Sequence, residues 1–238
     1  MLLRSNDEAR KNTFYCFSPP VMIATFIIEI SLALYTVWRY KWNAVTRLSV
    51  LLLVALSVFQ LAEFLVCRGM GGDSLLWSRI GFVAITILPP VGLHLIHVIA
   101  KDRRRWMILP GYLAGAAFIA FFSLVGRSID GHACLGNYVI FQVAPVAGGL
   151  YGAYYYALLL ASLALGRYHL RRKQPKKTRQ ALIGLMFGYT IFIIPSTYAN
   201  LVSPEAISGM PSIMCGFAVL LALALAFIVS PNAAKRKT

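Results

Sequence analysis

Long apolar segments recur along this chain, each about as long as a membrane-spanning helix. Such a helix needs about 20 predominantly apolar residues, and the 238-residue chain carries seven segments of this kind, separated by short polar stretches. Only 13% of its residues are charged, whereas about 25% are charged in a typical soluble domain. The sequence therefore predicts an all-α integral membrane protein, a seven-transmembrane-helix bundle that forms one domain over residues 1–238.

The predicted helices cover residues 21–38, 46–66, 77–100, 108–125, 139–165, 180–199 and 211–229. The third contains Pro89 and Pro90, which remove two backbone amides and crowd the preceding turn. In lipid, such a break is tolerated only where a neighbouring group or water satisfies the freed carbonyls. We therefore expect a kink in this helix.

The basic residues are distributed unequally between the two sides of the predicted bundle. Seventeen of the 23 Lys and Arg residues fall in segments 39–47, 101–105, 167–179 and 235–237, which share one side. Loops rich in Lys and Arg face the cytoplasm, so the N-terminus is predicted outside and the C-terminus in the cytoplasm. The net charge of +15 thus indicates topology and contact with the lipid bilayer, with no nucleic acid as partner. We expect a multi-pass protein of the inner or plasma membrane.

The longest basic loop is a candidate docking surface for a separate cytoplasmic protein. Alternatively, its charge serves only to orient the chain in the membrane and to attract anionic lipid. The residues that would dock a partner are Arg171, Arg172, Lys173, Lys176 and Lys177.

The four cysteines, Cys16, Cys67, Cys134 and Cys215, all lie at or near the predicted outer face. An oxidising exterior permits disulfides there. Cys67 and Cys134 both lie in outer loops and are a candidate pair, although four cysteines allow three pairings. Free buried thiols are the alternative.

Two acids lie inside predicted helices, where ionisable groups are costly and are candidates for function. Glu29 lies nine residues past Pro20, or about 13 Å into the bilayer. Glu63 lies about one turn below the outer end of the second helix, and Gln60 shares its face. An outward-facing pocket that binds an unknown small ligand would comprise Glu63, Gln60, Glu29, Gln142 and Asn200. Alternatively, these side chains only fix helix packing.

His94 and His97 share one face of the third helix, as in half of a metal or haem site. His94 lies 17 residues past Trp77, or about 25 Å along the helix. It is therefore far from Glu63, and no second histidine lies at a matching depth in another helix. We expect both histidines to be structural and predict no metal, no cofactor and no catalytic residue.

Three segments of the chain form a recognisable series: Gln60-Leu-Ala-Glu63-Phe-Leu, then Trp77-Ser-Arg79-Ile-Gly81 followed by Pro89-Pro90, and finally Arg179-Gln180 after a basic loop. Together they resemble the N-terminal seven-transmembrane sensory region of bacterial sensor histidine kinases. The resemblance implies a membrane sensory module that feeds a cytoplasmic output domain.

Only residues 232–238 follow Pro231, so we expect a stand-alone, receptor-like module with no kinase domain. It would detect an unknown signal through its outer half and act through a separate cytoplasmic signalling protein. The alternative is an intramembrane enzyme, or a subunit of a transporter for small solutes or protons. It would use Glu29, Glu63 or the pair His94 and His97.

Overall fold

A computed structural model of the chain describes residues 19–68, 72–102, 104–125, 129–134, 139–143, 145–202 and 218–237. Over these residues the chain is predominantly helical. The helices are α1 (Pro19–Arg39), α2 (Ala44–Arg68), α3 (Ser74–Thr86), α4 (Leu88–Ala100), α5 (Leu109–Leu124), α6 (Pro145–Leu170), α7 (Lys176–Val202) and α8 (Ala218–Ala233). A short 3₁₀ helix, Arg105–Met107, precedes α5, and Leu225–Val229 within α8 is a π-helical segment.

Among the described residues, four helical segments are long and apolar enough to cross a membrane, as expected of a membrane protein. They are Pro20–Arg39, Ala44–Cys67, Ser74–Ala100, which joins α3 and α4, and Val146–Leu170. Helices α5 and α8 are apolar but shorter. The count of seven spans and the orientation stay predictions.

Exposed tryptophans lie near one end of the helices. The exposed fractions of Trp38, Trp42 and Trp106 are 74%, 59% and 72%. Each lies within a few residues of the basic segments 39–47 or 101–105. Because tryptophan prefers the membrane–water interface, these side chains mark the interface at this end, which we call the basic end. The opposite end, where α2 ends and α3 begins, is called the hairpin end.

Helix α4 lies at the centre of the bundle. It contacts α2, α5, α6 and α7, and the side chains of Val91, Leu95 and Ile96 are fully buried. Helix α1 packs along α2, and α8 packs against α7. The core therefore lies around α2 and α4, while α1 and α6 present exposed apolar side chains such as Leu34 and Leu160 to the surroundings.

The predicted third helix, 77–100, is two helices that meet at Ile87, so the expected kink is confirmed. Because Pro90 has no N–H, the carbonyl of Thr86 has no donor from within its own helix. The Tyr154 hydroxyl of α6 donates to this carbonyl at 2.8 Å. A neighbouring helix thus supplies the missing partner.

The prediction of one helix over 139–165 is wrong at its start, where the chain forms a short β-hairpin. Strands β1 (Ile129–Cys134) and β2 (Val139–Val143) pair antiparallel, with Cys134 opposite Val139. The run of β-branched and aromatic residues in β2 favours a strand. Helix α6 begins only at Pro145, since proline suits the first turn of a helix.

The other predicted helices differ from the structure mainly at their ends. Segments 21–38, 46–66, 108–125 and 180–199 correspond to α1, α2, α5 and α7, which begin or end one to four residues away. The predicted last helix, 211–229, corresponds to α8, which runs on to Ala233. Its residues 211–217 lie outside the described part of the chain.

Candidate functional site

Two acids and an amide are buried where α1 packs along α2. The exposed fractions of Glu29, Glu63 and Gln60 are 0%, 1% and 3%. The Glu29 and Glu63 carboxyl groups lie close enough for their charges to interact. Gln60 lies three residues before Glu63, on the same face of α2. The structure thus brings the two acids together from adjacent helices.

The carboxyl group of Glu29 is not satisfied by hydrogen bonds. Both its Oε1 and its Oε2 atoms are buried and make no hydrogen bond to the described residues. A buried polar atom without a partner costs free energy, and two like charges out of water oppose each other. The pair of Glu29 and Glu63 is therefore suited to take up a proton, a cation or a hydrogen-bond donor.

The two other predicted members of the pocket fall on elements described only by their backbone. Gln142 belongs to β2 and Asn200 to α7, and their side chains lie outside the described part. Their membership of the pocket stays a prediction.

His94 and His97 each make a structural contact. His94 Nδ1 lies 3.0 Å from the Tyr112 hydroxyl, which links α4 to α5. His97 Nδ1 lies 3.0 Å from the Leu93 carbonyl oxygen of its own helix. Within the described ranges, no three His, Cys, Asp or Glu side chains are grouped closely enough to hold a metal ion. These contacts indicate that the two imidazole rings serve the packing of α4.

Asp102 and His169 meet at the basic end. The Asp102 Oδ2 and His169 Nε2 atoms are 3.3 Å apart, within ion-pair range although the atoms are not aligned as a hydrogen bond. Asp102 Oδ1 accepts the Arg104 N–H at 3.0 Å. This hydrogen bond, with a smaller effect from His169, lowers the pKa of the Asp102 carboxyl below its ordinary value. The pair joins the loop after α4 to the last turn of α6.

The turn that ends α4 positions Asp102. Lys101 adopts a left-handed conformation with φ 54°. Its N–H bonds to the Val98 carbonyl, and the Asp102 N–H bonds to the His97 carbonyl. This is the Schellman pattern of helix ends. The pairing of Asp102 with His169 was not predicted from the sequence. The sequence feature that pointed to it is the acid Asp102 among the basic residues of the 101–105 segment.

The last described residues pair with the end of α1. The Lys41 N–H donates to the Lys235 carbonyl at 2.7 Å, and the Lys237 N–H donates to the Arg39 carbonyl at 3.0 Å. Tyr40, between these bonds, is only 1% exposed. Basic residues of the segments 39–41 and 235–237 therefore lie side by side.

The predicted docking residues are accessible. Arg172 stacks on the Tyr168 ring, with its guanidinium carbon 4.4 Å from the ring centroid, and it also donates a hydrogen bond to the Tyr168 hydroxyl. All five are exposed: Arg171, Arg172, Lys173, Lys176 and Lys177.

Cys67, at the hairpin end of α2, is disulfide-bonded. Cys134 is the last residue of β1, and β1 contacts α3, which begins at Ser74, seven residues after Cys67. The side chain of Cys134 lies outside the described part, as do Cys16 and Cys215. The pairing of Cys67 with Cys134 stays a prediction.

The chain matches no protein-family model, no curated protein and no solved structure.

Proposed function

We propose that this protein is a non-enzymatic membrane sensory module, similar in role to the input region of sensor histidine kinases. Its input site is the Glu29–Glu63 carboxyl pair with Gln60, and its output passes through the basic end to a separate signalling protein. The hairpin end faces outward and the basic end faces the cytoplasm.

One observation carries this proposal: two buried acids on adjacent helices lie within range of each other's charge, and both carboxyl oxygens of Glu29 lack a hydrogen bond to the described residues. Packing alone does not require them, because an apolar pair of similar volume is often as stable as buried charged groups. A proton or cation that joins the two carboxyl groups would change the attraction between α1 and α2. A ligand that binds one arrangement more tightly than another shifts the equilibrium between them.

At the basic end, contacts between elements would transmit a change in the packing of α1 against α2 to the surface of the membrane. The end of α1 is hydrogen-bonded to residues 235–237, which follow α8, and α8 packs on α7. The exposed basic residues of the 171–177 loop directly precede and begin α7. A displacement of α1 would therefore be transmitted to the predicted docking loop. The positive charge of this loop suits a partner with an acidic surface.

The input site is tested by thermal unfolding of Glu29→Gln and Glu63→Gln variants in nanodiscs. Glutamine keeps the shape of the side chain and removes its charge change. We expect wild type to change its melting temperature with pH and with added cations, both metal ions and alkylammonium ions, and each variant to lose that response. Thr25→Val is the matched control, because Thr25 is a buried polar residue of α1 that bonds to the Met22 carbonyl of its own helix. Identical profiles for wild type and Glu63→Gln would contradict the proposal.

The orientation has its own test. A reporter that is active only in the cytoplasm, fused after Thr238, should be active, because the segments with 17 of the 23 basic residues would face that side. Activity of a periplasmic reporter at the same position would overturn the orientation.

The alternative is a subunit that carries protons or small solutes. The observation that favours it is a second group of titratable side chains, Asp102 and His169, at the opposite end from Glu63. A carrier would need both groups. Proton or solute flux in liposomes that Glu63→Gln abolishes would support this alternative over the sensor.

A further inference from the structure

An open groove of about 450 Å³ runs between α2 and α3. On α2 it is lined at helical spacing by residues such as Leu51, Val54 and Val58, and on α3 by residues such as Arg79 and Val83, with Ile87 following at the junction with α4. These stripes at i, i+3 and i+4 run along the helix axes. The groove is therefore elongated, and it lies along segments that are long and apolar enough to cross a membrane.

The polar lining of the groove is confined to one end. Among the described residues that line the groove, every side chain is apolar except those of Arg79 and Ser123. Arg79 lies in the second turn of α3, and Ser123 is the penultimate residue of α5. Both therefore lie toward the hairpin end, while the apolar lining continues toward the middle of the bundle.

Arg79 has no anionic partner within the part of the chain that the structure describes. Its Nε atom is buried and makes no hydrogen bond there, and no ion pair with a described acid is formed. A guanidinium in this position favours an anion, since its forked donors match carboxylate and phosphate groups. The groove thus combines a cationic mouth with an apolar floor.

Along α3, the groove is about as long as one leaflet of a bilayer. Leu76 on α3 and Ile87 directly after it are separated by 11 residues, or about 16 Å of helix. Half of the hydrocarbon core is about 15 Å. An acyl chain that lies in the groove would reach from the interface to the middle of the membrane.

We propose that this groove is a binding site for an anionic phospholipid of the leaflet at the hairpin end, with the phosphate on Arg79 and one acyl chain between α2 and α3. The Ser123 hydroxyl adds a hydrogen-bond donor beside the phosphate. The site is separate from the Glu29–Glu63 pair, so it stands whether or not that pair senses a ligand.

The test is native mass spectrometry of the full chain released from nanodiscs that contain phosphatidylglycerol and phosphatidylcholine of equal acyl length. Wild type should retain phosphatidylglycerol in preference to phosphatidylcholine. Arg79→Gln should retain it about tenfold less well, the effect expected for one charge-assisted hydrogen bond. Arg47→Gln is the matched control, because Arg47 is an exposed basic residue at the basic end, and it should behave as wild type.

Two further variants probe the apolar floor and the forked guanidinium separately. Val83→Phe, which fills the groove without altering charge, should lose both lipids. Arg79→Lys keeps the charge without the forked donors and should show an intermediate preference, which keeps the proposal testable if Arg79→Gln does not fold.

Three outcomes would overturn the proposal. Equal retention by wild type and Arg79→Gln would remove Arg79 from the site, and an equal loss in Arg47→Gln would indicate a diffuse attraction. Displacement of the lipid by glycerol phosphate alone would show that a free anion, without an acyl chain, suffices.

Discussion

The Tyr154 hydroxyl donates a 2.8 Å hydrogen bond to the carbonyl oxygen of Thr86. In an uninterrupted helix this carbonyl would accept the N–H of residue 90, which is a proline here. The Thr86 hydroxyl in turn lies 3.1 Å from the Tyr151 hydroxyl. Helix α6 thus provides the polar groups that make the break between α3 and α4 tolerable in an apolar surrounding.

Tyr154→Phe should lower the free energy of unfolding by about 1–3 kcal/mol, because it leaves the buried Thr86 carbonyl without a donor. Tyr198→Phe, at an exposed tyrosine, should be nearly silent. The decisive comparison is made in a Pro90→Ala background, where residue 90 supplies its own N–H and Tyr154→Phe should cost less. Equal losses in both backgrounds would separate Tyr154 from the proline. The measurement is equilibrium unfolding in detergent, analysed as a double-mutant cycle.

Gly188→Ala should destabilise the bundle, because α7 and α8 pack closely there. A methyl group at Gly188 would lie 2.6 Å from Leu221 Cδ1 and 3.3 Å from Leu221 Cα, and overpacking of this kind costs about 1–3 kcal/mol. Gly152→Ala on α6 is the control, since its methyl group would meet nothing within 4 Å. Thermal unfolding should show a lower melting temperature for the first and an unchanged or higher one for the second. The reverse order would refute the close packing of α7 on α8.

Asp102→Asn should reduce stability in a pH-dependent way. The pKa of Asp102 is lowered in the folded protein, mainly by the Arg104 N–H and also by His169. Its carboxylate therefore contributes stability at pH values above its unfolded pKa of about 3.9, and that contribution is lost as the pH falls through the lower, folded pKa. Melting curves from neutral to acidic pH should show wild type and Asp102→Asn converging at the acidic end. A constant difference at every pH would exclude this electrostatic contribution.

Cys67→Ser should lower the melting temperature, because Cys67 is disulfide-bonded and a disulfide typically contributes about 2–4 kcal/mol. Non-reducing mass spectrometry of peptides should recover Cys67 linked to Cys134, the predicted partner. Cys134→Ser should then match Cys67→Ser in melting temperature, and the double variant should be no worse than either. A linked peptide that contains Cys16 or Cys215 instead would reassign the bridge.

The apolar segments alone determined where most of the helices lie. In lipid, each segment must satisfy its own backbone hydrogen bonds, so a long apolar run becomes a helix without reference to its neighbours. The kink at Pro89 and Pro90 was predictable for a similarly local reason, the missing amides. Residues 139–143 were not, because a short apolar run has no periodicity that distinguishes a strand from a helix.

The partners of the polar side chains were decided by tertiary structure. The sequence placed Glu29 and Glu63 at depths that made them candidates, but their meeting depends on how α1 and α2 are rotated against each other. The contact between Asp102 and His169 depends on the left-handed turn at Lys101 and on where α6 ends. Helix rotation and pairing follow from side-chain packing between segments far apart in the chain, and no local pattern of residues encodes it.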